Sequence, residues 1–141
     1  MRARDTHPRM TSTDAEVVRA SLDAFNRRDV PELLRCIDEN VEWVPLNALL
    51  NGDVYRGHDG IHRFLHDVDE DIEGMQVRTD ELREMNGSVV LLGSITGKGR
   101  GSCMDLEMPT GWVIRVEDDR VVYLRAYSTL EAALEAAETL R

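Results

Sequence analysis

The stretch "GWVIRVEDDRVVYLRAY", residues 111–127, contains two runs in which apolar and polar side chains largely alternate, separated by Asp118-Asp119. A period of two is typical of β-strands that bury one face. Aspartates between two such runs favour a tight turn, because Asp tolerates the left-handed backbone conformation. The stretch therefore predicts two antiparallel strands joined by a short turn.

The preceding residues extend this pattern into an antiparallel meander. Residues 75–85 and 88–100 flank Asn86-Gly87, the strongest short hairpin signal. Residues 102–108 are predicted to continue into 111–117 as one long strand, interrupted at Pro109 as at a bulge. We therefore expect four successive antiparallel strands between residues 75 and 127.

Helical periodicity surrounds the meander. The predicted helices cover residues 13–29, 29–40, 58–72 and 130–140. Thr13 with Glu16, and Ser128 with Glu131, form capping boxes in front of the first and last helices. A short strand around Trp43 lies between the second and third helices. This order predicts the α+β class, with helices packed on one face of a curved sheet.

The chain has the size and composition of one globular domain. It has 141 residues, of which 42% are apolar and 31% are charged, and this is long enough to bury a core. No repeat or internal linker divides it. We expect a disordered polar tail over residues 1–12 and a single domain over residues 13–141.

Charge and cysteine usage narrow the possible functions. The net charge of -10 opposes nucleic acid as a partner, because phosphates would be repelled. No run of about 18 apolar residues occurs, so no membrane span is predicted, and the first ten residues lack the apolar core of a secretory signal. Cys36 and Cys103 have no metal-like or redox-like spacing. These features favour a cytoplasmic protein.

The segments "AFNRRDVPELL" (24–34), "VEW" (41–43), "YRGHDGIHRFL" (55–65) and "EAALEAA" (131–137), together with the hairpin at 111–127, resemble the SnoaL-like polyketide cyclase group. That group lies within the nuclear-transport-factor-2-like superfamily, which also holds the ketosteroid isomerases. The resemblance covers about residues 14–138. It implies a cone-shaped roll, in which a strongly bent antiparallel sheet wraps around three helices and a C-terminal helix follows. It also implies an apolar pocket inside the cone and homodimers formed through the outer sheet face.

The resemblance also shows departures at the expected catalytic positions. Isomerase-like members carry one Asp on the first strand and another near the final hairpin, and the matching positions here are Trp43 and Trp112. Glu42 is then expected to face outward. An indole N–H donates one hydrogen bond but takes no proton. An Asp that many relatives carry after the last strand is replaced by Thr129, which weakens a cyclase interpretation.

Two side chains remain as weak acid–base candidates, and the catalytic residues stay unknown. His62 lies at the edge of the apolar stripe of the third helix and could reach the pocket rim. Tyr55 precedes that helix, where its hydroxyl could orient a carbonyl or simply hold the loop. His58, His62 and His66 recur every four residues, but a metal would need a further ligand nearby. We predict no metal and no cofactor, and the competing interpretation of His62 is the flank of a solvated helix.

The two faces of the last strand are expected to have different roles. Val122, Leu124 and Ala126 are predicted to face the cone. Tyr123, Arg125 and Tyr127 are predicted to face outward as a subunit contact. A register slip of one residue at a bulge would instead bring Arg125 into the pocket.

The pocket walls and the function follow from these assignments. Trp43 and Trp112 either fill the core or line a cavity, and flexible methionines suit either role. The predicted lining residues are Phe25, Trp43, Tyr55, Phe64, Met104, Trp112, Ile114, Leu124 and Ala126. Our first hypothesis is a homodimer that binds a small apolar or aromatic molecule. The alternatives are a cofactor-independent cyclase, isomerase or dehydratase, and an interaction module that works through its sheet face.

Overall fold

The protein is described by a computed structural model over residues 10–46, 54–99, 101 and 104–139. Its elements in chain order are α1 (Met10–Arg27), α2 (Val30–Arg35), β1 (Ile37–Val44), β2 (Tyr55–Arg56), α3 (Gly57–Asp71), β3 (Ile72–Met85), β4 (Ser88–Gly99), β5 (Asp105–Glu117), β6 (Arg120–Tyr127) and α4 (Leu130–Thr139). Most of the predicted tail, part of the loop after β1, and Cys103 lie outside the described residues. No helix within the described ranges is long and apolar enough to cross a membrane.

The six strands form one bent sheet, and the predicted α+β class is confirmed. The strand order is β2-β1-β6-β5-β4-β3. All neighbouring strands are antiparallel except β1 and β6, which run parallel. Parallel pairing needs a long connection, and here the whole chain from β2 to β5 connects these two strands. The meander predicted from the alternating sequence is therefore one part of a mixed sheet.

The two predicted tight turns have the backbone that their residues favour. Asn86 and Gly87 have φ angles of 52° and 82°, and Asp118 and Asp119 have φ angles of 53° and 63°. Positive φ at both central residues is typical of the hairpin turn whose twist matches that of the flanking strands. The hairpins are therefore local consequences of the sequence.

The interruption predicted at Pro109 is wrong. Strand β5 pairs with β4 without a register shift from Asp105 to Ile114, and Pro109 lies opposite Ser94. Proline has no backbone N–H to donate to a neighbouring strand. The strand tolerates it because β6 pairs with β5 only from Gly111 onward, so Pro109 needs no hydrogen bond to β6. The bulge lies instead in β6, where Val121 pairs with Val116 and Tyr123 pairs with Arg115.

This bulge corrects one face assignment. Val122 is the extra residue and is half-buried, whereas Val121 is buried in the core. The slip comes before Leu124 and Ala126, so both are buried on the inner face as predicted. Arg125 stays on the opposite face.

Three helix boundaries differ from the sequence prediction. Helix α1 begins at Met10 rather than at Thr13. Helix α2 is capped by Asp29, as predicted, but it ends at Arg35 because Ile37 already pairs with β6. In α4 the cap is Thr129, whose Oγ1 accepts a hydrogen bond from the Ala132 N–H at 3.0 Å, rather than Ser128.

The two faces of the sheet carry two separate apolar clusters. The inner cluster includes Val18 and Phe25 of α1, Ile61 and Phe64 of α3, and the inward residues of the sheet. The outer cluster is smaller, and in it α4 packs on the opposite face of β4 and β5. Its buried members are Val90, Leu92, Val113, Ala133 and Ala137.

Polar side chains after α1 join the helices to the far edge of the sheet. The Asn26 amide accepts from the Val77 N–H at 2.9 Å and donates to the Val77 carbonyl at 3.0 Å. Arg28 donates to Asp69 of α3 and to the Met75 carbonyl of β3. These bonds hold β3 against the helices, and the space between them is the inside of the cone.

Candidate functional site

A cavity of about 320 Å³ lies between α1, α3 and the concave face of the sheet. Protein interiors are normally packed as densely as organic crystals, so a hollow of this size is a feature that needs an explanation. The lining residues are Ser21, Leu22, Phe25, Trp43, Pro45, Leu46, Tyr55, Phe64, Asp67, Val68, Asp71, Ile72, Met75, Val77, Leu91, Ile95, Met108, Trp112, Ile114, Leu124 and Ala126.

Eight of the nine residues predicted for the pocket lie in this lining, and Met104 does not. Met104 is 66% exposed and stands just before β5, where its carbonyl accepts a hydrogen bond from the Gly99 N–H at 3.1 Å. It therefore belongs to the end of the β4–β5 hairpin, beyond the cavity. Met108, four residues later, has the lining position, because the alternation continues along β5 into the cone.

Four aromatic rings form one side of the cavity. The ring of Phe64 is the centre of this group: its centroid lies 6.2 Å from that of Phe25, 5.5 Å from Trp43 and 5.4 Å from Tyr55. Tilted and edge-on pairs at such distances are each worth about 0.5–1.5 kcal/mol beyond the area they bury. The rings support one another and leave the hollow open beside them.

Tyr55 is held at the cavity by backbone and side-chain contacts. It pairs with Trp43 across β1 and β2 and is 3% exposed. The first turn of α3 passes so close that a Cβ on Gly60 would lie 2.9 Å from the Tyr55 carbonyl carbon. The Tyr55 hydroxyl donates a hydrogen bond of 2.6 Å to Oδ2 of Asp67. Tyr55 therefore lines the cavity and fixes the loop to the helix, and its predicted role towards a carbonyl stays a prediction.

The same hydrogen bond governs the ionisation of Asp67. The Tyr55 hydroxyl lowers the pKa of Asp67 by more than desolvation raises it, and His66 and Arg63 lower it further by smaller amounts. Hydrogen bonding to the charged form favours that form. Asp67 is therefore an anion at neutral pH and a weaker base than an ordinary aspartate.

Asp67 and Asp71 were missed by the sequence prediction. Both line the cavity from α3, three and seven residues after Phe64. Positions three, four and seven residues apart share one helix face, so the spacing from Phe64 was a usable signal. The sequence analysis did not consider them, and only the open cavity shows that this stripe changes from apolar to acidic towards the end of the helix.

The assignment of His62 to the pocket rim is wrong. His62 is exposed and is absent from the lining, because Phe64, Asp67 and Val68 occupy the inward face of α3. His58 Nε2 lies 2.8 Å from the Ile37 carbonyl oxygen, and the His66 ring lies beside Asp67 and Glu70. In the described part of the chain, no three His, Cys, Asp or Glu side chains are grouped as metal ligands.

The residues predicted to face outward lie outside the cavity. Glu42 is next to Arg56, with 3.9 Å between their charged groups, and Trp43 is inward and 8% exposed. Tyr123 and Arg125 are half-buried on the outer face. The guanidinium of Arg125 lies 5.3 Å from the ring centre of Tyr127, and Tyr127 packs against the cluster under α4.

Comparison with known families and structures agrees with this geometry. Residues 18–124 match the model of the SnoaL-like domain. The comparison with functionally curated proteins finds no match at a significant level. The family match covers the second half of α1, all of α2, α3 and strands β1 to β5, and the first part of β6.

Several solved structures have the same fold. An NTF2-like protein of unknown function from Burkholderia pseudomallei is 24% identical, with a TM-score of 0.73 over 89% of this chain and 97% of that one. TerC, co-crystallised with polyporic acid, is 23% identical, with a TM-score of 0.74 over 87% of this chain and 96% of TerC. A protein with a ketosteroid isomerase-like fold from Catenulispora acidiphila, in complex with trimethylamine, is 18% identical. Its TM-score is 0.70 over 86% of this chain and 92% of that one.

The family match extends over most of the chain, and the neighbours share its overall fold. Sequence identities this low show that the fold is shared, but they do not show a shared ligand or reaction. The chain belongs to the SnoaL-like domain family.

Proposed function

We propose that this protein binds a small apolar or aromatic molecule in the cavity of the cone. The observation that carries the proposal is the hollow itself, which is walled by large aromatic and aliphatic side chains that do not fill it. Ligand pockets are concave and mostly apolar, with a few polar groups, and their volumes start at roughly 300 Å³. Solved neighbours with the same fold hold polyporic acid in one case and trimethylamine in another, which supports a binding role.

The two tryptophans provide a direct test, because they are the only ones in the chain and both line the cavity. We expect a saturable change in intrinsic fluorescence when neutral phenylbutanol is titrated into the protein. Ala126→Leu places three more carbons in the cavity and should weaken this binding at least about tenfold, or about 1.4 kcal/mol. Ala132→Leu adds the same atoms on α4, outside the cavity, and should leave the affinity unchanged.

Two results would contradict the binding proposal. One is the absence of a saturable response to phenylbutanol and to a panel of similar neutral aromatic probes. The other is equal affinity in the wild type and Ala126→Leu, which would place the binding somewhere else.

An enzyme of the cyclase, isomerase or dehydratase type is the second candidate, and the Tyr55–Asp67 pair favours it. A hydroxyl and a carboxylate that are joined by a 2.6 Å bond at a cavity wall could accept a hydrogen bond from a substrate hydroxyl and so orient it. The lowered pKa of Asp67 makes it a poor general base. Tyr55→Phe would abolish turnover of a substrate while leaving phenylbutanol binding intact; retention of full activity would exclude this role.

The open cavity supports both of these proposals over an interaction module alone. We further propose a cytoplasmic homodimer, in which Tyr123 and Arg125 meet a second copy on the part of the outer face beside α4. The free Cys36 thiol is buried, which suits a reducing compartment. Sizing of Arg125→Glu at low concentration checks the interface, since an unchanged dimer would reject this surface.

A further inference from the structure

The charged side chains of the described cavity lining are all negative. Among the described lining residues, Asp67 and Asp71 are the only charged ones, and they are one turn apart on α3. Asp67 is half-exposed and Asp71 is exposed, so their carboxylates lie where the cavity meets solvent. A bound molecule would therefore have its apolar body inside and would meet negative charge at the opening.

The hydroxyls of the lining have their protons engaged within the protein. Ser21 donates to the Val18 carbonyl at 2.8 Å, and Tyr55 donates to Asp67 at 2.6 Å. The Ser21 oxygen and the two carboxylates are hydrogen-bond acceptors for a ligand. Apart from the indole N–H groups of the two tryptophans, the side chains of the described lining favour a ligand that donates hydrogen bonds.

Cations close to the cavity are bound on its outside. Arg63 stacks over the Tyr55 ring at 5.0 Å, and Arg28 stacks over Phe25 at 4.5 Å and pairs with Asp69. Neither arginine is part of the lining. Arg63 partly offsets the charge of Asp67 from outside the lining, but an anionic ligand would meet two carboxylates and no cation in the described wall, whereas a cationic ligand would be attracted.

The aromatic wall provides a second favourable contact for a cation. The face of an aromatic ring attracts positive charge, and tryptophan does so most strongly. Trp43 and Trp112 both line the cavity and are 8% and 7% exposed. A positive group that enters the cavity could therefore be attracted by an indole as well as by the carboxylates.

We propose that the ligand is an organic cation: an aromatic or aliphatic body fills the hollow, and an ammonium group lies beside Asp67 and Asp71. This inference rests on the proposed binding function and specifies its ligand class. It also implies selection against carboxylic acids of the same shape.

Three probes with the same body and different charge test the inference. Phenylbutylammonium, phenylbutanol and phenylbutanoate are titrated separately at neutral pH and low salt, with tryptophan fluorescence as the readout. One carboxylate near a cation in water is worth about fivefold in affinity at contact distance. We expect the amine to bind at least about tenfold more tightly than the alcohol, and the acid to bind more weakly than the alcohol.

Charge-removing variants then locate the effect. Asp71→Asn should reduce the advantage of the amine over the alcohol about fivefold, and adding Asp67→Asn should remove most of the rest. Asp71 has no ion pair or side-chain hydrogen bond within the described residues, so its variant should fold normally. Glu70→Gln removes the same charge from the same helix outside the cavity lining and should change the advantage less than about twofold.

The outcomes separate this inference from the function on which it rests. If the alcohol binds but the amine binds no better, or if the acid binds best, the cation proposal is wrong and the binding proposal stands. If none of the three probes binds, both are wrong. An equal loss of amine affinity in Glu70→Gln and Asp71→Asn would mean that overall charge, and not the cavity opening, attracts the amine.

Discussion

The two faces of the sheet are packed in opposite ways, although strands β4 and β5 supply both. On the outer face, small alanines of α4 lie directly on the strands, and a Cβ on Gly111 would be 2.6 Å from the Ala133 Cβ. On the inner face, the next residue, Trp112, lines a cavity of about 320 Å³. One step along a single strand therefore separates a closely packed contact from an open space.

The difference follows from the size of the side chains that meet. Alanines on α4 allow the helix backbone to approach the sheet, so no room remains. On the inner side, large rings contact one another around Phe64 and keep the helices away from the sheet. The closely packed side contributes stability, and the open side offers a binding volume.

The largest effect is expected at the centre of the ring group. Phe64→Ala should lower the free energy of unfolding by about 3 kcal/mol, because it removes contacts with three rings and enlarges the hollow. Urea unfolding monitored by circular dichroism measures the loss. Phe64→Leu keeps most of the volume and should cost about 1 kcal/mol. Equal small losses in both variants would show that the ring group does not hold the cavity open.

Added volume should affect the two faces differently. Gly111→Val forces side-chain atoms against Ala133 and should destabilise the protein by about 2 kcal/mol. Ala126→Val adds the same kind of group on the cavity side and should change stability by less than about 0.5 kcal/mol. Urea unfolding of both variants gives the comparison, and similar costs would contradict the contrast between the faces.

A smaller effect is expected where the β3–β4 turn holds α4 in place. The Asn86 amide donates to the carbonyls of Ala137 and Glu138 at 3.1 and 3.0 Å. Asn86→Gly keeps the positive φ of the turn but removes these bonds, so it should cost about 1 kcal/mol and speed hydrogen exchange in α4. Asp119→Gly makes the same kind of change in the other tight turn and should be neutral or stabilising. Unchanged exchange in α4 for Asn86→Gly would contradict this role.

The smallest effect is a pH dependence at the cavity opening. The pKa of Asp67 in the folded protein is below the ordinary value of 3.8, so its contribution to stability is present above that pH and is lost as the pH falls through the folded value. Tyr55→Phe should therefore lower the urea midpoint at about pH 7 and lower it less at about pH 3. Tyr123→Phe, on the outer face, should show no such change with pH. A Tyr55→Phe deficit that is the same at both pH values would mean that the hydrogen bond does not affect the ionisation of Asp67.

Much of the inner face could be predicted because its signals are local. Alternation placed Trp112, Ile114, Leu124 and Ala126 on one side of their strands, and the structure places all four at the cavity. The bulge that makes Val122 the extra residue could not be read from "RVVYLRAY", because both valines fit an inward position. The prediction that Met104 lines the pocket was wrong for a similar reason, since alternation does not show where a strand begins.

The sequence by itself determined the order of the helices and the longer strands, the two tight turns and the family, because each depends on residues that are close together in the chain or on an order of segments. The tertiary structure alone decided that Tyr55 bonds to Asp67, that Asp71 lies at the opening, and that α4 covers the outer face. These features depend on distances between separate elements, and such distances are set by how large and small side chains pack. For the same reason the size of the hollow, which is what remains after that packing, could not be predicted from the sequence, although the family resemblance implied a pocket.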